Sequence, residues 1–159
     1  MKKSTKKVVN TLSKYIGKEI IRTKPTVNGD WSLTDKPALL LGFTTDGRMK
    51  YRYAGTYKGF GDEEKILPLS FTDGNWITYK KAQKPKNNRL NEWKGKRIRR
   101  IRPTSTIGDR SYMDNPVTLI AASKYHMMVR YKLVCSGEMT FILRPDFAKP
   151  EDWVLADDD

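Results

Sequence analysis

The chain is poor in the residues that most catalysis needs. It holds one cysteine, Cys135, and one histidine, His126. A single thiol forms no internal disulfide, which fits a reducing compartment. Cys135, between Val134 and Ser136, reads as a buried strand residue, and His126, inside "KYHMMVRY", as a core or surface residue. No Cys/His pair stands at metal-ligand spacing, and neither a phosphate-binding glycine loop nor a nucleophile motif is present. The acidic run Asp62-Glu63-Glu64 sits among glycines and reads as solvated turn residues. An enzyme is therefore not expected, and no cofactor and no metal is expected. Apolar runs are too short to span a bilayer and there is no signal-peptide h-region, so no membrane partner is expected and a cytoplasmic location is.

Positive charge is what the chain has in excess. Its 159 residues carry 31 Lys and Arg against 18 Asp and Glu, a net charge of +13. Charge on that scale speaks to partners rather than to fold, and it points to polyanions. The excess is also concentrated. Residues 1–24 are net +7 and residues 80–102 net +10, whereas residues 25–79 are net −1 and residues 103–159 net −3.

Those two basic segments open the two copies of an internal repeat. With a shift of about 78 residues, Asn10, Leu12, Tyr15, Gly17, Lys18, Ile20, Arg22, Pro25 and Thr26 match Asn88, Leu90, Trp93, Gly95, Lys96, Ile98, Arg100, Pro103 and Thr104. "SLTDKPALLLG" then matches "SYMDNPVTLIA", "MKYRY" matches "MMVRY", and Trp76 falls against Trp153. Each copy reads alike. A short helical stretch comes first, with Val8, Val9, Leu12, Tyr15 and Ile16 on one face in copy one. "NRLNEW" takes its place in copy two, with Asn87 or Asn88 as N-cap. A strand follows, then a long hairpin, which in copy one turns at Asp46-Gly47. Another strand and a short last strand at Trp76 or Trp153 complete the copy.

Five short strands in about 65 residues, with few helices, predict a small bent β-barrel of the SH3-like type rather than an OB-fold. The expected organisation is a helix plus first SH3-like barrel over 1–79, a basic linker over 80–89, and a second barrel with an acidic tail over 90–159. That tail, Asp157 to Asp159, reads as a solvated terminus.

The duplication separates what the fold needs from what it does not. "YIGKEIIRTKPT" in copy one faces "WKGKRIRRIRPT" in copy two, in which six of twelve residues are Lys or Arg. The shared glycine, isoleucine and proline read as structural. Lys18, Arg22 and Lys24 are matched by Lys96, Arg100 and Arg102, and copy two adds Lys94, Arg97 and Arg99. Clustered like charges repel, and a phosphate backbone offsets that repulsion, with Arg supplying a bidentate fork. These residues, with Lys80, Lys81, Lys84, Lys86 and Arg89, are the expected nucleic-acid contacts. Such contacts make affinity salt-dependent and nearly sequence-independent. No major-groove reading helix is apparent. Trp31, Tyr57 and Phe60, placed in loops, are the candidate stacking residues, while Tyr53, Tyr131, Trp76 and Trp153 read as barrel core.

Tandem barrels opened by "IGKEIIRTKPT" and "KGKRIRRIRPT" resemble the KOW and Tudor-like modules of transcription-associated and nucleic-acid-binding proteins. The further glycine pattern of a KOW motif is missing, with only Gly29 or Gly108 nearby. Over its length, basicity and opening "MKKSTKKVVNTLSKYIGKE", the chain resembles the early modifier-of-transcription DNA-binding proteins of T-even bacteriophages. That resemblance implies non-specific binding of double-stranded DNA, modified phage DNA included. It further implies an influence on phage gene expression through the host nucleoid or transcription proteins. Two other classes stay open on the residues alone: an RNA- or ribosome-associated factor, and a Tudor-type protein-interaction module that inhibits a host factor.

Overall fold

A computed structural model describes residues 1–54, 63–84, 88–104, 108–133 and 137–156. Cys135, Asp62, Asn87 and the acidic tail lie outside the described residues. The chain divides into two compact units, Met1–Lys81 and Ala82–Asp159.

The first unit opens with helix α1 (Lys3–Leu12), which tightens into a 3₁₀ turn at Ser13–Tyr15. Strands β1 (Glu19–Arg22), β2 (Ala38–Phe43), β3 (Met49–Tyr53), β4 (Lys65–Ile66) and β5 (Trp76–Thr78) follow, then a short helix α2 (Tyr79–Ala82). The second unit opens with a 3₁₀ turn at Arg89–Trp93. It continues with β6 (Arg97–Arg100), β7 (Val117–Ala122), β8 (Met127–Leu133), β9 (Gly137–Leu143) and β10 (Trp153–Leu155). Residues 80–82 are thus helical and Asn88 is a helix cap, so ordered structure takes both ends of the expected linker.

Both units carry one five-stranded antiparallel sheet of the same topology, β4-β3-β2-β1-β5 and β9-β8-β7-β6-β10. Four strands meander and the fifth returns to pair with the first. Each second strand bears a register shift at the same place, Leu40/Gly42 and Leu119/Ala121. Such a bulge bends a strand and increases its twist. The protein is mainly β, and the ladder of each sheet does not close on itself among the described residues.

The repeat holds down to single bonds. Gly17 and Gly95, at φ +81° and +83°, each donate an amide to the bulged strand, at Leu40 and Leu119, 2.8 Å in both cases. Left-handed backbone is what glycine allows without cost. Leu33 and Tyr112 share that conformation, at φ +62° and +67°, and their carbonyls accept from Arg22 and Arg100. The indoles of Trp76 and Trp153 donate to the Phe71 and Phe147 carbonyls at 2.8 and 2.7 Å. Around them Ile20, Leu40, Met49 and Phe71 form one core, and Ile98, Leu119, Met127 and Phe147 the other.

The helical starts differ. In α1, Leu12 is buried and Val8 and Tyr15 pack on the same core. Ile16, expected on that face, is 46% exposed. The 3₁₀ turn ends at Tyr15 and Ile16 leaves it at φ −57°, ψ 129°, so helical periodicity stops one residue short. In the second unit Asn88 accepts from the Leu90 amide at 3.0 Å and donates to the Ser123 and Ala148 carbonyls. A side chain thereby does what a longer helix would do. His126 is buried beside Ser123, whose hydroxyl accepts its amide at 3.0 Å.

Candidate nucleic-acid interface

Alternation along a strand divides "RIRR" between two faces. In β6, Arg97 is exposed and Arg99 half-buried, while Ile98 and Arg100 point inward. The matching Arg22 of β1 is inward too. Both arginines are 0% exposed. A fully buried side chain reaches no phosphate, so Arg22 and Arg100 are withdrawn from the expected contacts: they belong to the fold.

Their environments show why the fold keeps them. Arg22 forms a bidentate pair with Asp73, at 3.0 and 2.7 Å, and donates to the carbonyls of Lys24 and Phe71. Its guanidinium lies 5.1 Å from the ring centres of both Phe71 and Trp76. Arg100 sits over Phe147 at 4.6 Å and donates to the Asp109 carbonyl at 3.1 Å. Its carboxylate partner, Asp152, stands farther off at 3.7 Å. Burial pulls the Arg100 guanidinium below its ordinary value, opposed by Asp152, Asp109 and Asp146. A second arginine, Arg144, ties Asp109 at 3.0 Å to Asp146 at 3.4 Å. The first unit thus holds its buried arginine through a bidentate pair with Asp73, with Asp30 also acting on it, whereas the second surrounds its own with Asp152, at 3.7 Å, and with Asp109 and Asp146.

The outward residues line up across the sheet. Strand register sets Arg97 opposite Thr118, Thr118 opposite Arg130, and Arg130 opposite Thr140, one row across β6, β7, β8 and β9. Neighbouring strands are roughly 4.8 Å apart, which places the two arginines of the row about two strand spacings from each other. The corresponding row of the first unit is Glu19, Leu39 and Arg52. Arg97 and Arg130 line a groove of about 380 Å³ with Thr118, Asn115 and Glu138. Glu138 approaches Arg130 only to 4.0 Å, and both are exposed, a geometry that leaves an ion pair weak.

Arg130 was not among the expected contacts. The signal for it was present, since "MKYRY" and "MMVRY" place Arg52 and Arg130 at matching positions, but only strand register brings Arg130 beside Arg97. Of the other expected contacts, Lys94, Lys96 and Arg89 are exposed in the second unit, as are Lys18 and Lys24 in the first. Lys80, Lys81 and Lys84 are exposed. Arg102 is 56% exposed, with its Nε 3.4 Å from the Asp152 carboxylate that also serves Arg100. Trp31 is half-buried, and Lys86, Tyr57 and Phe60 lie outside the described residues. No group of Cys, His, Asp and Glu suited to a metal occurs among the described residues, and no helix there is long and apolar enough to cross a membrane.

No protein-family model, no curated protein and no solved structure matches the chain.

Proposed function

We propose that the protein binds double-stranded DNA with little sequence preference, through the exposed face of the second unit's sheet, each unit being an SH3-like module of the KOW/Tudor-like kind. The observation that carries this reading is the row Arg97–Thr118–Arg130, where the first unit has Glu19–Leu39–Arg52 on the same topology. The fold does not require arginine at position 97, since β1 manages with glutamate. Arg99 supplements the row from the same face of β6. Exposed guanidinium groups hold phosphates through charge-assisted, bidentate hydrogen bonds and release counterions on doing so. By its resemblance to the phage transcription modifiers, the protein acts in the host cytoplasm on phage and host DNA, as a binding protein and not as a catalyst.

The test is a salt series on duplex DNA. Replacing Arg97 by the glutamate of the first unit, with Arg99→Ala, should weaken binding and flatten the dependence of log K on log salt by about one for each lost phosphate contact. Arg100 must be left in place, because it is fully buried and its loss would destabilise the unit and mimic a binding defect. An unchanged slope would sink the proposal. Tighter binding of RNA than of duplex DNA at every salt concentration would transfer it to the RNA-associated class.

A further inference from the structure

Next to the arginine row, and sharing Asn115 and Tyr131 with it, lies a second groove of about 290 Å³ lined by Ser111, Tyr112, Asn115, Tyr131 and Phe141. Three of its five residues are aromatic, and all three rings are half-buried against the core of the second unit. Tyr112 meets Tyr131 edge-on at 6.2 Å and is itself supported from beneath by Phe147 and Trp153. Tyr112 is thereby fixed between Tyr131 and the core, and all three rings keep part of their surface exposed.

The first unit places its rings differently: Tyr51 and Tyr53 of β3 meet edge-on at 5.7 Å, and Tyr51 stands where the second unit has Val129. The residue in left-handed conformation that precedes β2 is Leu33 there and Tyr112 here. The strand position opposite Tyr51 is Lys65, and the one opposite its counterpart Val129 is Phe141. Asn115 stands where the first unit has Lys36, each just ahead of the proline that leads into the second strand. Of the aromatic residues, only Tyr131 has an aromatic equivalent, Tyr53. Aromatic residues have therefore been placed in the second unit at two positions that the same topology fills with leucine and lysine.

We infer that this groove takes an unpaired nucleobase, whose flanking phosphates run along Arg97 and Arg130. The inference rests on the nucleic-acid reading above and adds to it a base-dependent component that phosphate contacts cannot supply. Every base has a π-face that stacks on tyrosine or phenylalanine irrespective of sequence. Asn115 offers both donors and an acceptor to a base edge. Charge argues against the other usual guest of an aromatic pocket, a methylated ammonium group. Among the described residues no acidic side chain lines the ring groove, and the adjoining one presents two arginines against one glutamate.

The experiment uses the full chain and two probes of equal length and equal phosphate number, a thymidine oligonucleotide and its abasic analogue. The wild-type protein should prefer the thymidine strand by roughly tenfold, the scale of one stacked base. Tyr112→Leu combined with Phe141→Leu leaves the charge unchanged and gives position 112 the residue of the first unit. This variant should bind both strands alike while retaining duplex binding, and Phe141→Trp should keep the preference. Equal binding of the two strands by the wild type, or a preference that survives the double substitution, would overturn the inference. So would displacement of the thymidine strand by a trimethyl-lysine peptide. A base preference found without any duplex binding would support the groove and remove the duplex proposal, so the two readings fail separately.

Discussion

Replacing Asp73 by alanine tests the account of the buried arginines. Arg22 is fully buried, and Asp73 holds it by two hydrogen bonds of 3.0 and 2.7 Å. Removing one member of a buried pair costs about 3–5 kcal/mol, because a charge is left without compensation. Two features place the value at the lower end. The Asp73 side chain is 25% exposed, so water can reach the space it leaves. Arg22 also keeps its bonds to the carbonyls of Lys24 and Phe71. A loss of about 3 kcal/mol in the first unit is expected, equal to roughly hundredfold faster opening at 1.4 kcal/mol per decade. Amide hydrogen exchange resolves the units: protection should fall in β1 and β5 and stay unchanged in β6 and β10. Asp152→Ala, which removes a partner at 3.7 Å while Asp109 and Asp146 remain, should cost the second unit less. A loss in β1 below about 1 kcal/mol, far under the buried-pair range, would refute the reasoning. Equal loss in both units would refute it too.

Two further outcomes follow from local geometry. Asp30 and Asp109 occupy equivalent turns and are both held below the ordinary carboxylate value. For Asp30 the cause is chiefly the hydroxyl and amide of Ser32; for Asp109, burial pushes upward, and Ser111, Arg144 and Arg100 together pull further down. A depressed folded-state value means stability that is present above the unfolded value, near pH 4, and lost as the pH falls toward the folded one. Asp109→Asn should therefore lower stability at neutral pH and flatten the acid limb of denaturation midpoint against pH; parallel limbs would disprove it. Gly47→Ala should destabilise more than Gly29→Ala. Both glycines have positive φ, +91° and +82°, but a Cβ at Gly47 would stand 2.6 Å from the Thr5 side chain of α1, whereas one at Gly29 meets nothing within 4 Å. Strain alone costs about 1 kcal/mol, and urea unfolding should show the excess at Gly47 vanish when Thr5 is also alanine.

Much of the architecture was legible because the chain states it twice. Asp46-Gly47 turned where a hairpin should, Asn88 capped, and each Trp opened a last strand. The inward arginines were misread for a physical reason. Arginine is ordinarily exposed unless it is paired, and the partner of Arg22 lies 51 residues away. The two carboxylates also stand at different distances from the matching tryptophans, Asp73 three residues before Trp76 and Asp152 one before Trp153. The repeat therefore did not align them. Persistence of arginine at one strand position in both copies was the available signal, and it carried the same meaning as the persistent isoleucine two residues earlier. The rows across strands were illegible for another reason: register decides them, and register depends on bulges at Leu40 and Leu119, of which a strand glycine, Gly42, marks only the first.

The duplication also orders the divergence. Several inward positions hold their chemistry, Ile20 with Ile98, Arg22 with Arg100, Met49 with Met127 and Trp76 with Trp153, while Tyr51 gives way to Val129. Outward positions of the first strand exchange it, Glu19 for Arg97 and Ile21 for Arg99. Glu19 and Arg97 are both exposed, but Ile21 is buried whereas Arg99 is half-buried, so the outer face is covered further along β1 than along β6. A covered face selects for packing, and an open one is free to select for partners. The arginines of β6 and the added rings beside them fall on the unit whose first strand keeps an open face. The excess charge of residues 80–102 divides on the same principle: Arg100 is taken inward by the core, Arg99 is half-buried, and Lys80, Lys81, Lys84, Arg89, Lys94, Lys96, Arg97 and Arg102 are exposed.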